Sequence, residues 1–404
     1  MPMNNVKRSI PLYLSVALSA LVTIIGIPVM ISASGFTEWS YIGAGQSVGS
    51  VIAGLVSFGW GVTGANTIAT QGENERVRTY LDSVRVRLLV TPAAIALGFA
   101  VCLTITPNAS IASSTAGLLS ATVAGWSASF YYVGTGDLWR LFFLDSFPRI
   151  LLTGMALIAL AASDHALGAI TVPLATTFGS VISLVAVSRS IRSQTGGLLA
   201  APTPLREILR SGMPGLATNV SNSAVQVLPT LLVAWVAPAA LPAFVFYDKL
   251  YKQVMTFASP LFTYLQGYVP RGLRDGSAHL RMRRAIQAAV ITGILVLAGT
   301  ATIGPLITDL LSAGEVDADR YASMLLGLLI AMSVADLVIS RVGLVVKGKV
   351  SVLAWSSILG AVLGNSFIFG LTPNFGFPAA LAGILLAVSV RAAIATTIFA
   401  RTHW

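Results

Sequence analysis

Long uncharged stretches, separated by short clusters of basic residues, constrain this chain more than any other feature. Only 10% of the 404 residues are Asp, Glu, Lys or Arg, and 55% are hydrophobic. A soluble domain carries about 25% charged residues. The deficit places the chain among integral membrane proteins. A helix that crosses a bilayer needs ~20 mainly apolar residues. Twelve segments qualify: 10–33, 39–70, 87–107, 109–134, 150–163, 165–188, 212–236, 239–269, 285–311, 320–346, 350–371 and 377–400. The fifth is short, and Leu141-Phe142-Phe143 suggests an earlier start.

Basic residues fall in every second gap. Lys7 and Arg8 precede the first segment. Arg76, Arg78, Arg85 and Arg87 follow the second, and Arg140 and Arg149 the fourth. Arg189, Arg192, Arg206 and Arg210 follow the sixth, and Arg271, Arg274, Arg281, Arg283 and Arg284 the eighth. Lys347 and Lys349 follow the tenth, and Arg401 closes the chain. The intervening gaps hold Glu38, Asp164, Glu315, Asp317, Asp319 and one basic residue, Arg320. Basic residues stay on the cytoplasmic side, so both termini are expected there, as an even number of spans requires. The net charge of +10 is thus a topology signal and not a nucleic-acid-binding patch. The gaps are too short for a separate folded domain.

A half-length repeat is visible. Arg8-Ser9-Ile10-Pro11 opens segment one, and Arg210-Ser211-Gly212-Met213-Pro214 opens segment seven; Pro28 is matched by Pro229. The offsets, 210 − 8 = 202 and 229 − 28 = 201, are half the chain. Two six-helix lobes, 1–200 and 201–404, are expected, with the same orientation about an axis along the membrane normal. Pro28 and Pro229 would bend their helices, as hinges or as static kinks.

Soluble-enzyme chemistry is absent from the pattern. Cys102 is the single cysteine, so no internal disulfide forms. His165, His279 and His403 have no metal-ligand spacing. Gly343 to Val350 approaches a P-loop, but Val350 replaces the Ser/Thr that would hold magnesium, and a membrane helix precedes it instead of a strand. The apolar run after Arg8 is too long for the ~7–15-residue core of a cleaved signal peptide. Trp39, Trp139 and Trp235, near helix ends, read as interface anchors.

Ionisable residues at membrane depth are costly unless they face protein or water. They concentrate in Asp248-Lys249-Leu250-Tyr251-Lys252 of segment eight. Asp336, Arg341, Arg391 and Asp309 complete the set. Asp248 and Lys252, at i and i+4, share a helix face and either pair with each other or serve a ligand. Arg341 is close enough to the inner end of its segment to snorkel; Arg391 is central. Cations in excess of carboxylates suit an anionic ligand such as a phosphate or pyrophosphate. Segment seven adds Asn219, Asn222, Ser223 and Gln226 on one face (i, i+3, i+4, i+7), and segment two adds Gln46 and Asn66. Such amides glue helices together or line a cavity for a hydroxyl-rich ligand.

Three stretches carry a family resemblance. They are Phe58-Gly59-Trp60-Gly61-Val62-Thr63-Gly64-Ala65-Asn66, Arg210-Ser211-Gly212-Met213-Pro214, and Phe246-Tyr247-Asp248-Lys249-Leu250 followed by Pro260 and Pro270-Arg271. With twelve segments, they resemble the polysaccharide transporter branch of the MOP superfamily, the O-antigen and capsular-repeat-unit flippases. The resemblance implies an all-α polytopic bundle in a bacterial cytoplasmic membrane. It implies transfer of a polyprenyl-pyrophosphate-linked oligosaccharide to the outer leaflet by alternating access. Lys249, Lys252 and Arg391 would meet the diphosphate and Asn219, Asn222 and Gln226 the glycan; Arg341 and Asn66 are further candidate substrate-binding residues. Asp248 or Asp336 would couple transport to a proton or sodium ion. Expected partners are the lipid-linked oligosaccharide, the membrane, a polysaccharide polymerase and glycosyltransferases; no enzymatic activity, resident cofactor or metal is expected. Many members carry arginine where this chain has Asn66. The alternatives are a MATE-type cation antiporter, which would favour excess buried carboxylates, and a glycosyltransferase or ligase using polyprenyl-linked donors, which would need longer outer loops.

Overall fold

The computed structural model describes residues 3–163, 166–193, 203–271, 276–316, 320–344, 347 and 349–401. Among them every regular element is a helix, as an apolar environment demands, because each backbone polar group must find its partner within the chain. The chain divides into two compact units, Met1–Leu231 and Leu232–Trp404.

The first unit contains α1 (Met3–Ser34), α2 (Phe36–Val56), α3 (Trp60–Thr70), α4 (Glu73–Ile105), α5 (Ile111–Thr122), α6 (Ser129–Thr135), α7 (Leu138–Arg140), α8 (Phe147–Ala162), α9 (Thr171–Arg192) and most of α10 (Leu205–Val236). A π-helical turn, Leu141–Ser146, joins α7 to α8. The span Leu138–Ala162 therefore starts upstream of residue 150, as the Leu141-Phe142-Phe143 run suggests. The second unit contains α11 (Leu241–Arg271), α12 (Ala278–Thr302), α13 (Gly304–Leu311), α14 (Arg320–Leu337) with a π-helical continuation at Val338–Leu344, and α15 (Val350–Arg401). The division falls inside α10, beyond the expected 200/201 boundary. The N-terminal half of α10 packs on the first unit: a Cβ on Gly59 would come within 2.7 Å of the Gly215 backbone.

Several expected segments are interrupted. The 39–70 segment breaks at Phe58 (φ 47°) and Gly59 (φ 82°), which separate α2 from α3. The 109–134 segment becomes α5, a 3₁₀ turn and α6; the 285–311 segment divides at Ile303. Residues 350–400 form one long run whose direction changes at Gly376 (φ 67°, ψ −157°). Apolar composition sets the depth of a segment and carries no information about where its hydrogen-bond ladder is interrupted. Pro28 sits inside α1 and Pro229 inside α10, each within an otherwise continuous helix.

Seven helices among the described residues are long and apolar enough to cross a membrane. One of them, Val352–Arg401, has 50 residues, enough for two passes of ~20 residues on either side of Gly376. Their outer faces fit lipid: Ile158, Phe178, Leu295 and Trp355 are all more than 60% exposed. Apolar surface on this scale is not carried by a water-soluble monomer. The chain is a multi-pass membrane protein.

Small residues set the helix spacing. Gly45 and Gly49 of α2 lie against the Ser114 and Leu118 carbonyls of α5, and Gly117 lies against the Ile42 carbonyl. Gly360 and Gly364 meet Ala387 and Gly383 across the two halves of α15. Such small-residue seams let backbones approach where lipid supplies no hydrophobic drive.

Candidate functional site

α11 presents Asp248, Tyr251 and Lys252 at i, i+3 and i+4, one face of the helix. The Lys252 Nζ donates to Asp248 Oδ2 at 2.6 Å. Asp248 is 4% exposed. The pairing anticipated as one option for these residues is the one formed. On α14, Asp336 is 1% exposed. Its Oδ2 accepts from Arg391 Nε at 2.7 Å and lies 2.6 Å from Arg391 Nη2; its Oδ1 accepts from Ser340 at 2.8 Å. Arg391 comes from the second half of α15, so this pair ties two elements that are remote in sequence.

The two pairs belong to one cluster. Tyr251 Oη and Ser333 Oγ are 2.9 Å apart. Tyr251 follows Asp248 by three residues, and Asp336 follows Ser333 by three. The bond between α11 and α14 thus has a paired carboxylate three residues away on each helix, and the Tyr251 phenol lies in the field of Asp248, Asp336 and Arg391. Lys249 is half-buried and interacts with both Lys252 and Asp248. Asp336 is the penultimate residue of α14, just before the π-helical turn. Turns of this type often accompany functional positions.

The remaining expected residues lie elsewhere or outside the described part. The side chains of Asn222 and Arg341 are not described. Asn66 is exposed on α3, and Gln226 is exposed on α10. Asn219 donates from Nδ2 to Ser57 Oγ at 2.7 Å, and Ser223 lies against Gly54. This part of the amide stripe joins α10 to the end of α2. Gln46 is half-buried on α2. Asp309 is exposed on α13. Trp139 and Trp235 are half-exposed, as anchors should be, but Trp39 is fully buried and stacks on Phe36 at 5.8 Å. Cys102 packs in the interior. Lys347, in the P-loop-like stretch, donates to the Phe399 carbonyl at 2.9 Å near the end of α15 and sits over the Phe399 ring. Its partial burial lowers its pKa. A lysine committed to a helix C-terminus suits a basic turn.

Sequence reading missed a second buried charged cluster. Arg87 reads as a gap residue from the sequence, yet Arg87, Asp82 and Asp145 are 1%, 5% and 6% exposed. The reason is that α4 begins at Glu73 and the π-helical turn carries Asp145 inward. Arg87 Nη1 donates to the Trp126 and Ser127 carbonyls, at 3.1 and 3.3 Å, and its guanidinium lies 5.3 Å from the Phe130 ring centroid. Ser127 Oγ and Arg149 Nη2 both donate to Asp145 Oδ2. A cavity of about 10 Å³ beside Ser127, Asp145, Arg149 and Ser183 has room for roughly one water. Asp82 holds Thr203 at 2.5 Å, with Arg78 and Arg85 each 3.9 Å away. The signal available in advance was the 76–87 basic run, whose residues were too close to a span to be all solvated. Among the described residues no group of His, Cys, Asp and Glu is arranged to hold a metal ion.

No protein-family model matches the sequence, and no curated protein matches it. Solved structures do match, over nearly the whole chain. The lipid II flippase MurJ, in an inward closed conformation, aligns with a TM-score of 0.68 at 11% identity, covering 97% of this chain and 87% of MurJ. An inward-facing multidrug resistance MATE transporter of the MOP superfamily aligns with a TM-score of 0.65 at 14% identity, covering 96% and 94%. A MOP superfamily transporter from Pyrococcus furiosus, described as having a binding pocket of reverse polarity that suggests a different function, aligns with a TM-score of 0.64 at 14% identity, covering 98% and 94%. The chain therefore has the all-helical fold of these MOP-superfamily transporters and flippases.

Proposed function

We propose that the protein is a flippase that moves a polyprenyl-pyrophosphate-linked oligosaccharide from the inner to the outer leaflet of a bacterial cytoplasmic membrane. The observation that carries this reading is the charge balance of the second-unit cluster. Among the described side chains, Asp248 and Asp336 stand with Lys249, Lys252 and Arg391, a formal sum of 3 − 2 = +1. Surplus positive charge in a buried setting favours an anionic ligand. The likeness to a lipid II flippase and to MATE transporters supports transport across a membrane as the task. In this reading Lys249, Lys252 and Arg391 hold the diphosphate, Asn219, Asn222 and Gln226 serve the glycan, and Arg341 and Asn66 are further candidates for substrate binding. Asp248 and Asp336 couple the site to a proton or sodium ion. Both termini are cytoplasmic, the 1–200 and 201–404 halves move as lobes, and a polymerase and glycosyltransferases act on either side of the step. The protein is not an enzyme.

A MATE-type antiporter is the second reading, because MATE structures share the fold. A cation carrier would favour an excess of buried carboxylates, and in this cluster the described cations outnumber the two carboxylates. The test is export of surface glycan in cells that depend on this protein. Lys249→Ala, Lys252→Ala and Arg391→Ala should each reduce it severely while the protein remains in the membrane. Normal glycan levels in all three variants sink the proposal.

A further inference from the structure

We infer that Asp248 and Asp336 set the charge threshold of the second-unit site: they hold Lys252 and Arg391 as neutral pairs, so that a ligand must present two linked anionic groups to capture both cations. The inference rests on the proposed reading of this cluster as an anion site and specifies which anions it accepts.

The geometry carries the argument. In each pair the carboxylate lies deeper than the cation. Side-chain exposure is 6% for Asp248 against 34% for Lys252, and 1% for Asp336 against 26% for Arg391. The acids are therefore the buried members of the two pairs, and the cations the more exposed ones. Lys252 spends one of its three donors on Asp248; Arg391 directs Nε and Nη2 to a single oxygen of Asp336 and retains further N–H groups. The Tyr251–Ser333 bond ties the two helices about one helical turn from each acid, Asp248 three residues before Tyr251 and Asp336 three after Ser333. Two cations within one small cluster thus have donors to spare and little net charge.

An anion that approaches either cation meets the repulsion of the acid behind it. A ligand with one anionic group exchanges one carboxylate for another anion. It gains little, because the displaced acid would stay buried without its partner. A diphosphate differs in kind. Once one phosphoryl group has engaged a cation, the second is held nearby at high effective concentration. It can then compete for the other cation, and Lys249 adds the surplus positive charge that favours the doubly charged form. The threshold is therefore a matter of charge number and spacing. The ligand chemistry named is a diphosphate, free or as a lipid headgroup.

The test measures binding to the purified full-length chain in lipid nanodiscs. The probes are inorganic phosphate, inorganic pyrophosphate, polyprenyl phosphate and polyprenyl diphosphate. The native chain should prefer the diphosphate of a pair by about tenfold or more. Asp336→Asn keeps the shape and removes the charge. It should bind both members of the pair more tightly and lower the preference several-fold. Asp248→Asn should do the same through Lys252, which provides a second route should Asp336→Asn fail to fold. A preference confined to the inorganic probes identifies a free diphosphate as the ligand; one shown by the polyprenyl probes identifies a lipid headgroup; either supports the threshold.

Two results overturn it: a native chain without diphosphate preference, or folded Asn variants whose affinities fall or stay unchanged. If Arg391→Ala and Lys252→Ala still lose binding in that case, the proposed anion site stands and only the threshold fails. If those two variants bind all four probes as the native chain does, the reading of the cluster as an anion site fails with it.

Discussion

Removing one member of a buried ion pair leaves the other charged and stranded, and the cost depends on how deeply the survivor lies. Arg391→Ala strands Asp336, which is 1% exposed, whereas Asp336→Asn strands Arg391, whose side chain is 26% exposed. Breaking a buried pair costs about 3–5 kcal/mol. Arg391→Ala should approach that range and Asp336→Asn should cost distinctly less. The double variant Arg391→Ala/Asp336→Asn should recover part of the Arg391→Ala loss. Thermal unfolding in detergent checks all three, and equal losses for the two single variants would contradict the burial argument. Tyr251→Phe removes one hydrogen bond and should cost about 0.5–1.5 kcal/mol. At this scale the sequence was informative within one helix and silent between helices. The i, i+4 spacing shows that Asp248 can reach Lys252. Nothing in the order of residues brings Arg391 to Asp336, because that contact depends on how α14 and α15 pack. Arg87 and Asp145 were missed for the same reason: a charge beside a basic loop looks solvated until the neighbouring helices close over it.

Helix spacing in this fold is controlled by glycine, and the positions separate into those in contact and those in open space. A Cβ on Gly45 would stand 1.9 Å from the Ser114 carbonyl oxygen, inside the α2–α5 seam. Gly45→Ala must push the two helices apart and should cost about 1–3 kcal/mol, the usual range for overpacking. Gly154, within α8, has nothing within 4 Å of its would-be Cβ. There Gly154→Ala gains only the helix-forming advantage of alanine, about 0.5–1 kcal/mol of stabilisation. Opposite signs at two helical glycines, read by thermal unfolding of the two variants, test whether the seam is as tight as it is drawn. The apolar pattern located most of the helices well, since hydrophobic length is a local property. It did not locate the breaks. Phe58-Gly59, Ile303 and Gly376 interrupt runs of uniform hydropathy; Phe58, Gly59 and Gly376, with φ of 47°, 82° and 67°, adopt a conformation that favours glycine, yet the first is a phenylalanine and gives no such sign in the sequence. The two π-helical turns have no signature in composition at all.

At the scale of the whole chain the charge pattern makes a claim that helix positions do not. Every second gap is basic, and the positive-inside rule assigns those gaps to the cytoplasm. Among the described residues seven helices qualify as spans by length and composition, and α15 is long enough for two passes; sidedness is a separate question that depends on where the arginines stop. The chain suits a labelling test because its one native cysteine, Cys102, is buried and should stay silent to an impermeant thiol reagent. Glu75, at the start of α4, and His279, at the start of α12, are both exposed and both sit beside arginine clusters. Glu315, exposed after α13, sits in an acidic gap. With cysteine at each position in turn, Glu75→Cys and His279→Cys should react only after the membrane is opened, and Glu315→Cys should react in intact cells. Glu75 and His279 fall in gaps of the first and second halves respectively, so their common sidedness also tests the parallel repeat. Two six-span halves put both gaps on one face, whereas an odd number of spans between them would put them on opposite faces. Labelling of one from outside and the other from inside would rule out two lobes of the same orientation, whatever the ligand proves to be.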